Sequence, residues 1–167
     1  MKVLVTYYSQ TGNTEKLAQS IYEGIEEKSK KILPLNEANN IDEYDIIFCG
    51  FPVHSHGVPG KVASFLKDIP EGKKLALFAT HGSLRGGEKA ITAFYHALSL
   101  LKKVKIIGTF GCQGMVERKI IEALMEKAEH KAWAIEAQGS FGHPDSADLE
   151  DGKNFAGMMM NKVRSVR

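Results

Sequence analysis

The chain has little of several features that would indicate a particular class of protein. It contains two cysteines, Cys49 and Cys112, which are too few for a disulfide-stapled scaffold. Both lie in apolar, strand-like segments, which predicts buried free thiols in a reducing cytoplasm. No apolar run approaches the roughly 20 residues of a membrane-spanning helix, and no signal-peptide pattern precedes the first strand. The net charge of +2 is too small to indicate a nucleic-acid partner. We therefore expect a cytoplasmic globular protein with no nucleic-acid and no membrane partner.

The length and the order of apolar patterns predict one α/β domain spanning residues 1–167. Nearly continuous apolar segments alternate with amphipathic helical patterns, which is typical of a parallel sheet covered by helices on both faces. We expect residues 113–146 to form an extended connection before the last helix, which covers either the pocket or a partner site. The predicted strands are 2–8, 31–35, 44–51, 74–80 and 105–110, and the predicted helices are 13–28, 59–66, 88–101, 118–128 and one running from Asp145 or Ser146 to Val163.

Three loops follow the predicted strands on the side where an open parallel sheet binds ligands, beyond the carboxyl ends of its strands. These loops are residues 9–14, 52–60 and 81–87. All three are rich in Gly, Ser, Thr or His, and none contains Asp or Glu. Such loops bring backbone polar groups close to a ligand, so we expect the functional site where they meet.

The first of these loops, Ser9-Gln-Thr-Gly-Asn-Thr14, has the composition of a phosphate-binding turn. Hydroxyls and backbone N–H groups at a helix N-terminus bind anions, and the same groups could simply cap the helix. The loop lacks the Walker pattern, and no G-x-G-x-x-G opens a helix in this chain. No Lys or Arg lies between Lys2 and Lys16. This favours a phosphate monoester held by neutral donors over a triphosphate with magnesium.

This loop, Ser9-x-Thr11-Gly12-Asn13-Thr14 after the first strand, resembles the phosphate loop of the flavodoxins. The order of strands and helices resembles that family over most of the chain. The resemblance implies a three-layer α-β-α fold with strand order 2-1-3-4-5, non-covalent FMN, and electron transfer between redox partner proteins. It implies no acid–base catalyst. The residues it implies for FMN binding are Ser9, Gln10, Thr11, Gly12, Asn13 and Thr14 around the phosphate, and Pro52, Val53, His54, Ser55, His56, Gly57, Thr80, His81, Gly82 and Ser83 around the ring.

The chain departs from the flavodoxin pattern in its aromatic residues. Flavodoxins usually enclose the flavin with Trp or Tyr, whereas the single Trp here, Trp133, is distant in sequence from all three loops. We expect His54 or His56 to replace this aromatic wall, and Gly57 to turn its peptide toward flavin N5. His54, His56 and His81 are also open to interpretation as exposed loop residues or as metal ligands.

The chain also departs from the family in charge. Flavodoxins carry carboxylates around the cofactor, whereas Lys61 and Arg85 stand in these loops. Positive charge lowers the energy of the anionic reduced flavin, which predicts a less negative reduction potential than in an acidic flavodoxin. The same two side chains are candidates for docking a redox partner, with an ordinary solvated surface as the alternative.

Two other features leave alternatives open. The glycine-rich stretch 108–114 follows the fifth strand, and a tight exit turn is its simplest interpretation, with the rim of the pocket as another.

An FMN-dependent reductase of quinones or flavins that uses NAD(P)H is an alternative to the electron carrier. A flavin-free binding or metal module on the same scaffold is a second alternative.

Overall fold

The computed structural model describes residues 1–165, in which a five-stranded parallel sheet lies between two layers of helices. The strands have the order β2-β1-β3-β4-β5, and all adjacent pairs are parallel, which confirms the predicted fold class and strand order. The strands are β1 Val3–Tyr7, β2 Lys30–Pro34, β3 Ile46–Pro52, β4 Lys74–His81 and β5 Lys105–Gln113, and the helices are α1 Asn13–Glu23, α2 Gly60–Lys67, α3 Glu88–Ser99, α4 Arg118–Met125, α5 Lys131–Ala137 and α6 Ser146–Ser165.

The core lies on both faces of this sheet because successive strand side chains point to opposite faces. Val3 and Val5 of β1 pack into a cluster with residues of α1 and α6. Leu4, which lies between them, belongs to the cluster formed with α2 and α3. All three side chains are fully buried. Burial on both faces explains why the strands read as continuous apolar runs in the sequence.

The apolar periodicity predicted that helix α1 would end at residue 28, whereas it ends at Glu23. Gly24 follows it and lies where α6 crosses α1. A Cβ atom on Gly24 would be 2.5 Å from the carbonyl oxygen of Lys153. Only glycine permits two backbones to approach this closely, and this contact between distant segments has no counterpart in the local pattern.

Strand β5 continues to Gln113, so the prediction that residues 108–114 form an exit turn is wrong. Gly111 pairs with Ala79 inside the sheet. A Cβ atom on Gly111 would be 3.2 Å from Nε2 of His81. The glycine at this position therefore leaves room for a neighbouring side chain within the sheet.

The connection between β5 and α6 folds into two short helices and a small core of its own. Ile121 of α4 packs with Ala134 and Ala137 of α5. The sequence predicted α4, which ends at Met125 instead of residue 128, and missed α5. Helix α5 has only seven residues, and its buried positions are alanines. It is therefore too short and too weakly apolar to show a helical periodicity in the sequence.

Helix α6 begins at Ser146, as predicted, with Asp145 as its cap. The Oδ1 atom of Asp145 accepts the N–H groups of Ala147 at 2.9 Å and Asp148 at 3.0 Å. A carboxylate here satisfies N–H groups that lack a partner within the helix. Donation from the Asp148 N–H is the main reason that the pKa of Asp145 is lowered.

Both cysteines are buried and unpaired, which confirms the prediction made from their apolar surroundings. Burial raises the pKa of Cys49 and of Cys112 to about 12, so neither thiol ionises near neutral pH. Within residues 1–165, every helix is too short or too polar to span a lipid bilayer.

Candidate cofactor-binding site

Two adjoining cavities lie beyond the carboxyl ends of β1, β3 and β4. The α1 cavity, of about 180 Å³, is lined by the start of α1, and the α5 cavity, of about 380 Å³, is lined by a residue of α5. They share Val53, His81 and Gly82, so the three predicted loops contribute to one composite site. The predicted residues that line the α1 cavity are Ser9, Gln10, Thr11, Asn13, Thr14, Pro52, Val53, His54, Thr80, His81 and Gly82. Those that line the α5 cavity are Val53, Ser55, His56, His81, Gly82 and Ser83.

The loop before α1 presents a group of unpaired backbone donors. Gly12 adopts a left-handed conformation with φ of 90°, and its own N–H donates to Oγ of Ser9 at 3.1 Å. The first helical bond runs from the N–H of Lys16 to the carbonyl oxygen of Gly12. A helix N-terminus with free donors is a favourable place for an anion. Within residues 1–165, the neighbouring N–H groups that have no protein acceptor are those of Ser9, Gln10, Thr11, Asn13, Thr14 and Glu15.

Two side chains of this loop connect it to the rest of the protein. The hydroxyls of Thr14 and Thr80 are 2.9 Å apart and buried, which joins α1 to the end of β4. The amide of Asn13 donates to Oγ1 of Thr11 at 3.3 Å and to the carbonyl oxygen of Met115 at 3.0 Å. These contacts hold the loop in place, so its backbone donors are positioned before any ligand binds.

The bond to Met115 also shows that the connection after β5 covers part of the α1 cavity, in agreement with one of the two roles expected of residues 113–146. A Cβ atom on Gly114 would be 3.0 Å from Nδ2 of Asn13, which is how closely the connection passes the loop. Of the residues that line this cavity, Glu117 alone is charged. An anion bound here would be held by N–H and hydroxyl groups without a cation. Gly114 also lines this cavity, which agrees with the pocket rim as the alternative interpretation of residues 108–114. The lining residues that were not assigned individually are Met115, Val116, Glu117 and Ile120.

The loop after β3 forms a tight two-residue turn. His54 and Gly57 exchange backbone hydrogen bonds of 3.0 and 2.8 Å. Between them, Ser55 and His56 both adopt left-handed conformations, with φ of 45° and 67°. Each such non-glycine residue costs roughly 1–2 kcal/mol, and strain of this kind clusters at functional sites. The turn places His54 on the α1 cavity and His56 on the α5 cavity.

Gly57 lines neither cavity, and its carbonyl oxygen accepts the N–H of His54. Its expected turn toward the flavin stays a prediction. His96 of α3 supports this end of the loop, because its Nδ1 atom accepts the N–H of Val58 at 3.2 Å. Gly12 also lies outside both cavities, where it shapes the start of α1.

His81 at the end of β4 is a buried, neutral part of the wall between the two cavities. Its Nδ1–H donates to the carbonyl oxygen of Ser83 at 2.8 Å, and Nε2 has no partner among the described residues. The side chain is 5% exposed, and burial is the main reason that its pKa is lowered. The lowered pKa leaves His81 without a charge near neutral pH.

Trp133 lies against the loop after β4. Its distance in sequence from the three loops had indicated that it takes no part in the site, and that inference is wrong. Its Nε1–H donates to Oγ of Ser83 at 3.1 Å. A Cβ atom on Gly82 would be 2.8 Å from Cζ2 of the indole, which makes Gly82 the point of closest approach. The α5 cavity therefore has a Trp in its wall together with His56. No local pattern indicates this, because the connection carrying Trp133 folds back over the end of the sheet.

The positive charge at the site comes from a different residue than the sequence indicated. Arg85 forms ion pairs with Asp151 at 2.7 Å and Asp148 at 3.4 Å. Lys61 lies 5.8 Å from the ring centre of Tyr8, and neither Lys61 nor Arg85 lines the α1 or the α5 cavity. The cation that lines the α5 cavity is Lys89, which sequence reasoning missed. The docking role expected of Lys61 and Arg85 stays a prediction.

The loop histidines do not converge as a metal site would require. Within residues 1–165, the metal-capable side chains that do meet are His143, Asp145 and Asp148, whose ligand atoms lie within 4.8 Å of one another. Each of these already has a structural partner. His143 Nδ1 is 2.5 Å from Oδ2 of Asp148, which also accepts the N–H of Asp145, and Asp145 caps α6. Arg85 further pairs with Asp148, so the cluster serves the helix start.

Comparison with known proteins gives a consistent result. The model of the flavodoxin domain matches residues 4–157. The chain is 34% identical to the flavodoxin-like domain-containing protein BilS of Clostridioides difficile, over 99% of this chain and 100% of that protein. A solved flavodoxin from the domain Archaea superposes with a TM-score of 0.63 and 18% identity, covering 98% of this chain and 99% of the other. A flavoprotein from Lactobacillus acidophilus, solved in complex with FMN, has a TM-score of 0.54 and 19% identity, covering 66% and 92%.

Proposed function

This chain belongs to the flavodoxin-like family, and on that premise we propose that it binds FMN non-covalently and carries electrons between redox partner proteins. The observation that supports the proposal most is the pair of adjoining cavities. One presents unpaired N–H donors at a helix N-terminus, and the other has an aromatic wall. FMN has a matching form, with a phosphate at one end and a flat ring at the other. The residues present therefore fit this cofactor.

Each part of the site has a separate task in this proposal. The N–H groups of the loop before α1, together with the hydroxyls of Ser9 and Thr11, would hold the phosphate. His56 and Trp133 would limit the space around the ring and exclude water from it. When bound, FMN supplies the electron-accepting chemistry, and the protein supplies orientation and electrostatics. A cytoplasmic location belongs to the same proposal and is supported by the buried, unpaired thiols.

The test of FMN binding is a titration of the cofactor-free protein with FMN, riboflavin and FAD, followed by flavin absorbance and fluorescence. We expect tight, stoichiometric binding of FMN and much weaker binding of riboflavin, which lacks the phosphate. Equal affinity for FMN and riboflavin would contradict the assignment of the α1 cavity. For the carrier role, the FMN-loaded protein should accept electrons from a reductase and pass them to a second protein, without oxidising NAD(P)H by itself.

A third cavity favours a second candidate function, the FMN-dependent reductase. This α4 cavity, of about 490 Å³, lies beside α4 and shares Met115, Val116 and Glu117 with the α1 cavity. Its volume and largely apolar lining are within the range of small-molecule sites. A reductase would oxidise NAD(P)H in the presence of a quinone or free flavin. Steady turnover with such an acceptor would favour the reductase, and its absence alongside reduction by a partner protein would favour the carrier.

A further inference from the structure

The α5 cavity has an unusual set of charges for a space that faces a redox cofactor. Its lining contains a lysine, three histidines and a tryptophan, and no Asp or Glu. Lys89 is the one side chain among these that carries a full positive charge at neutral pH. Such a cavity attracts a negatively charged ligand more than a neutral one of the same shape. Its lining residues are Val53, Ser55, His56, His81, Gly82, Ser83, Lys89, Leu124, His130 and Trp133.

Lys89 is held in place by the aromatic wall. It belongs to the first turn of α3, and its Nζ lies 4.2 Å from the ring centre of Trp133. This is a favourable cation–π distance. Trp133 is itself positioned by its bond to Ser83. Desolvation is the main reason that the pKa of Lys89 is lowered, which indicates that its ammonium group is partly removed from water.

The acidic side chains nearest to Lys89 do not neutralise it through a direct contact. Glu136 accepts the N–H of Leu84 through Oε1 at 2.6 Å, and Glu88 precedes Lys89 on α3. Both raise the pKa of Lys89 at a distance. Within residues 1–165, Lys89 forms no salt bridge, in contrast to Arg85. Its charge therefore remains available to a group in the cavity.

We propose that Lys89, held against Trp133, shifts the preference of the α5 cavity from the neutral oxidised flavin ring toward the reduced, anionic ring. The inference rests on the proposed function, because it concerns the state of the cofactor at that same site. Two electrons and one proton convert the neutral ring into a ring with one negative charge. A cation in a partly dehydrated cavity stabilises only the product of this change. The charge of Lys89 should therefore raise the affinity for the reduced form relative to that for the oxidised form.

The experiment compares Lys89→Met, which keeps the length of the side chain and removes its charge, with Lys89→Arg, which keeps the charge. The dissociation constant of oxidised FMN is measured by titration of the cofactor-free protein. The two-electron midpoint potential is measured with dithionite as the reductant. Together with the midpoint potential of free FMN, these two measurements give the affinity for the reduced form. Lys67→Met is the matched control, because Lys67 is an exposed lysine of α2 outside both cavities.

We expect Lys89→Met to lower the preference for reduced FMN on the order of tenfold. That change corresponds to a potential about 30 mV more negative for a two-electron couple. Lys89→Arg should retain most of the preference, and Lys67→Met should leave it unchanged. Trp133 is the only Trp in the chain, so its emission should change in cofactor-free Lys89→Met and not in Lys67→Met.

The inference is overturned if Lys89→Met leaves the preference unchanged. Weakening of both redox states by the same factor would be one such result and would indicate a packing role. The inference is also overturned if Lys67→Met shifts the potential by as much as Lys89→Met does, which would indicate a general effect of net charge. If the unmodified protein takes up no FMN, the proposed function fails and this inference fails with it. FMN binding with an unaltered preference in Lys89→Met refutes this inference alone.

Discussion

Gly12 offers a direct test of the phosphate-binding loop, because its replacement by Ala alters the conformational preference of the backbone at this position without removing a binding side chain. Its φ of 90° is left-handed, and a Cβ atom there would meet no atom within 4 Å. The cost of Gly12→Ala is therefore conformational and not steric. For a residue with a Cβ atom, this conformation costs roughly 1–2 kcal/mol.

The variant has two ways to accommodate the alanine, and both are measurable. If the loop keeps its shape, the free energy of unfolding falls by about 1 kcal/mol or slightly more. If the loop rotates to relieve the strain, the N–H groups of Thr11 and Asn13 move away from the phosphate. Losing one charge-assisted hydrogen bond costs about 1.5–3 kcal/mol, which is roughly a tenfold to hundredfold loss of FMN affinity. Riboflavin has no phosphate, so its weaker affinity should change little.

Gly72→Ala is the matched control for this effect. Gly72 also has a left-handed φ, of 79°, with no atom within 4 Å of the added Cβ. It lies between α2 and β4, at the opposite end of the sheet from the cavities. Urea unfolding should show a loss of stability in Gly72→Ala, and a loss of FMN affinity should be confined to Gly12→Ala. The reasoning is refuted if Gly12→Ala loses neither stability nor FMN affinity, if Gly72→Ala loses FMN affinity, or if Gly12→Ala weakens riboflavin as much as FMN.

Two further predictions concern stability. Because burial lowers the pKa of His81 below its ordinary value of 6.5, the unfolded chain binds a proton more readily than the folded chain. The contribution of neutral His81 to the free energy of unfolding should therefore be complete above about pH 6.5. It should be lost as the pH falls from there toward the folded-state pKa, by at most about 1.4 kcal/mol per pH unit. Urea unfolding between pH 5 and 8 should show a shallower pH dependence of stability in His81→Asn than in the unmodified protein, and identical slopes would contradict this. Thr6 is fully buried with a hydroxyl that has no partner among the described residues, so Thr6→Val should raise the free energy of unfolding by about 1 kcal/mol, and a loss of stability would reveal an overlooked partner.

The parts of the site that could be predicted are those formed by consecutive residues. The segment from Ser9 to Thr14 contains its own donors, its glycine and the helix start, so its anion-binding character is visible in one stretch of sequence. The same holds for the loops after β3 and β4, which follow continuous apolar strands. Their side chains were harder to assign. For His81 the sequence left open an exposed loop position, a place beside the flavin and a role as metal ligand. The side chain is buried because Gly111 on the neighbouring strand leaves space for its ring.

The charge at the site shows where prediction from sequence failed. Arg85 stands in a candidate loop, but Asp148 and Asp151 of α6 pair with it, and these lie far along the chain. Lys89 begins a helix and has no distinguishing neighbours in sequence. Its importance depends on Trp133, which approaches from the connection after β5. An ion pair or a cation–π contact between distant segments leaves no trace in local composition.

The sequence by itself determined the α/β class and the loop that suits a phosphate, and its resemblance to the flavodoxins implied the strand order. The first two depend on continuous apolar runs, on a helical period of 3.6 residues and on one contiguous motif, which are local properties of the chain. Only the tertiary structure decided which residues surround the second cavity. The connection after β5 folds across the end of the sheet and brings Trp133 to Ser83 and Lys89. Packing between distant segments sets that arrangement, because it depends on how the connection buries its own small core.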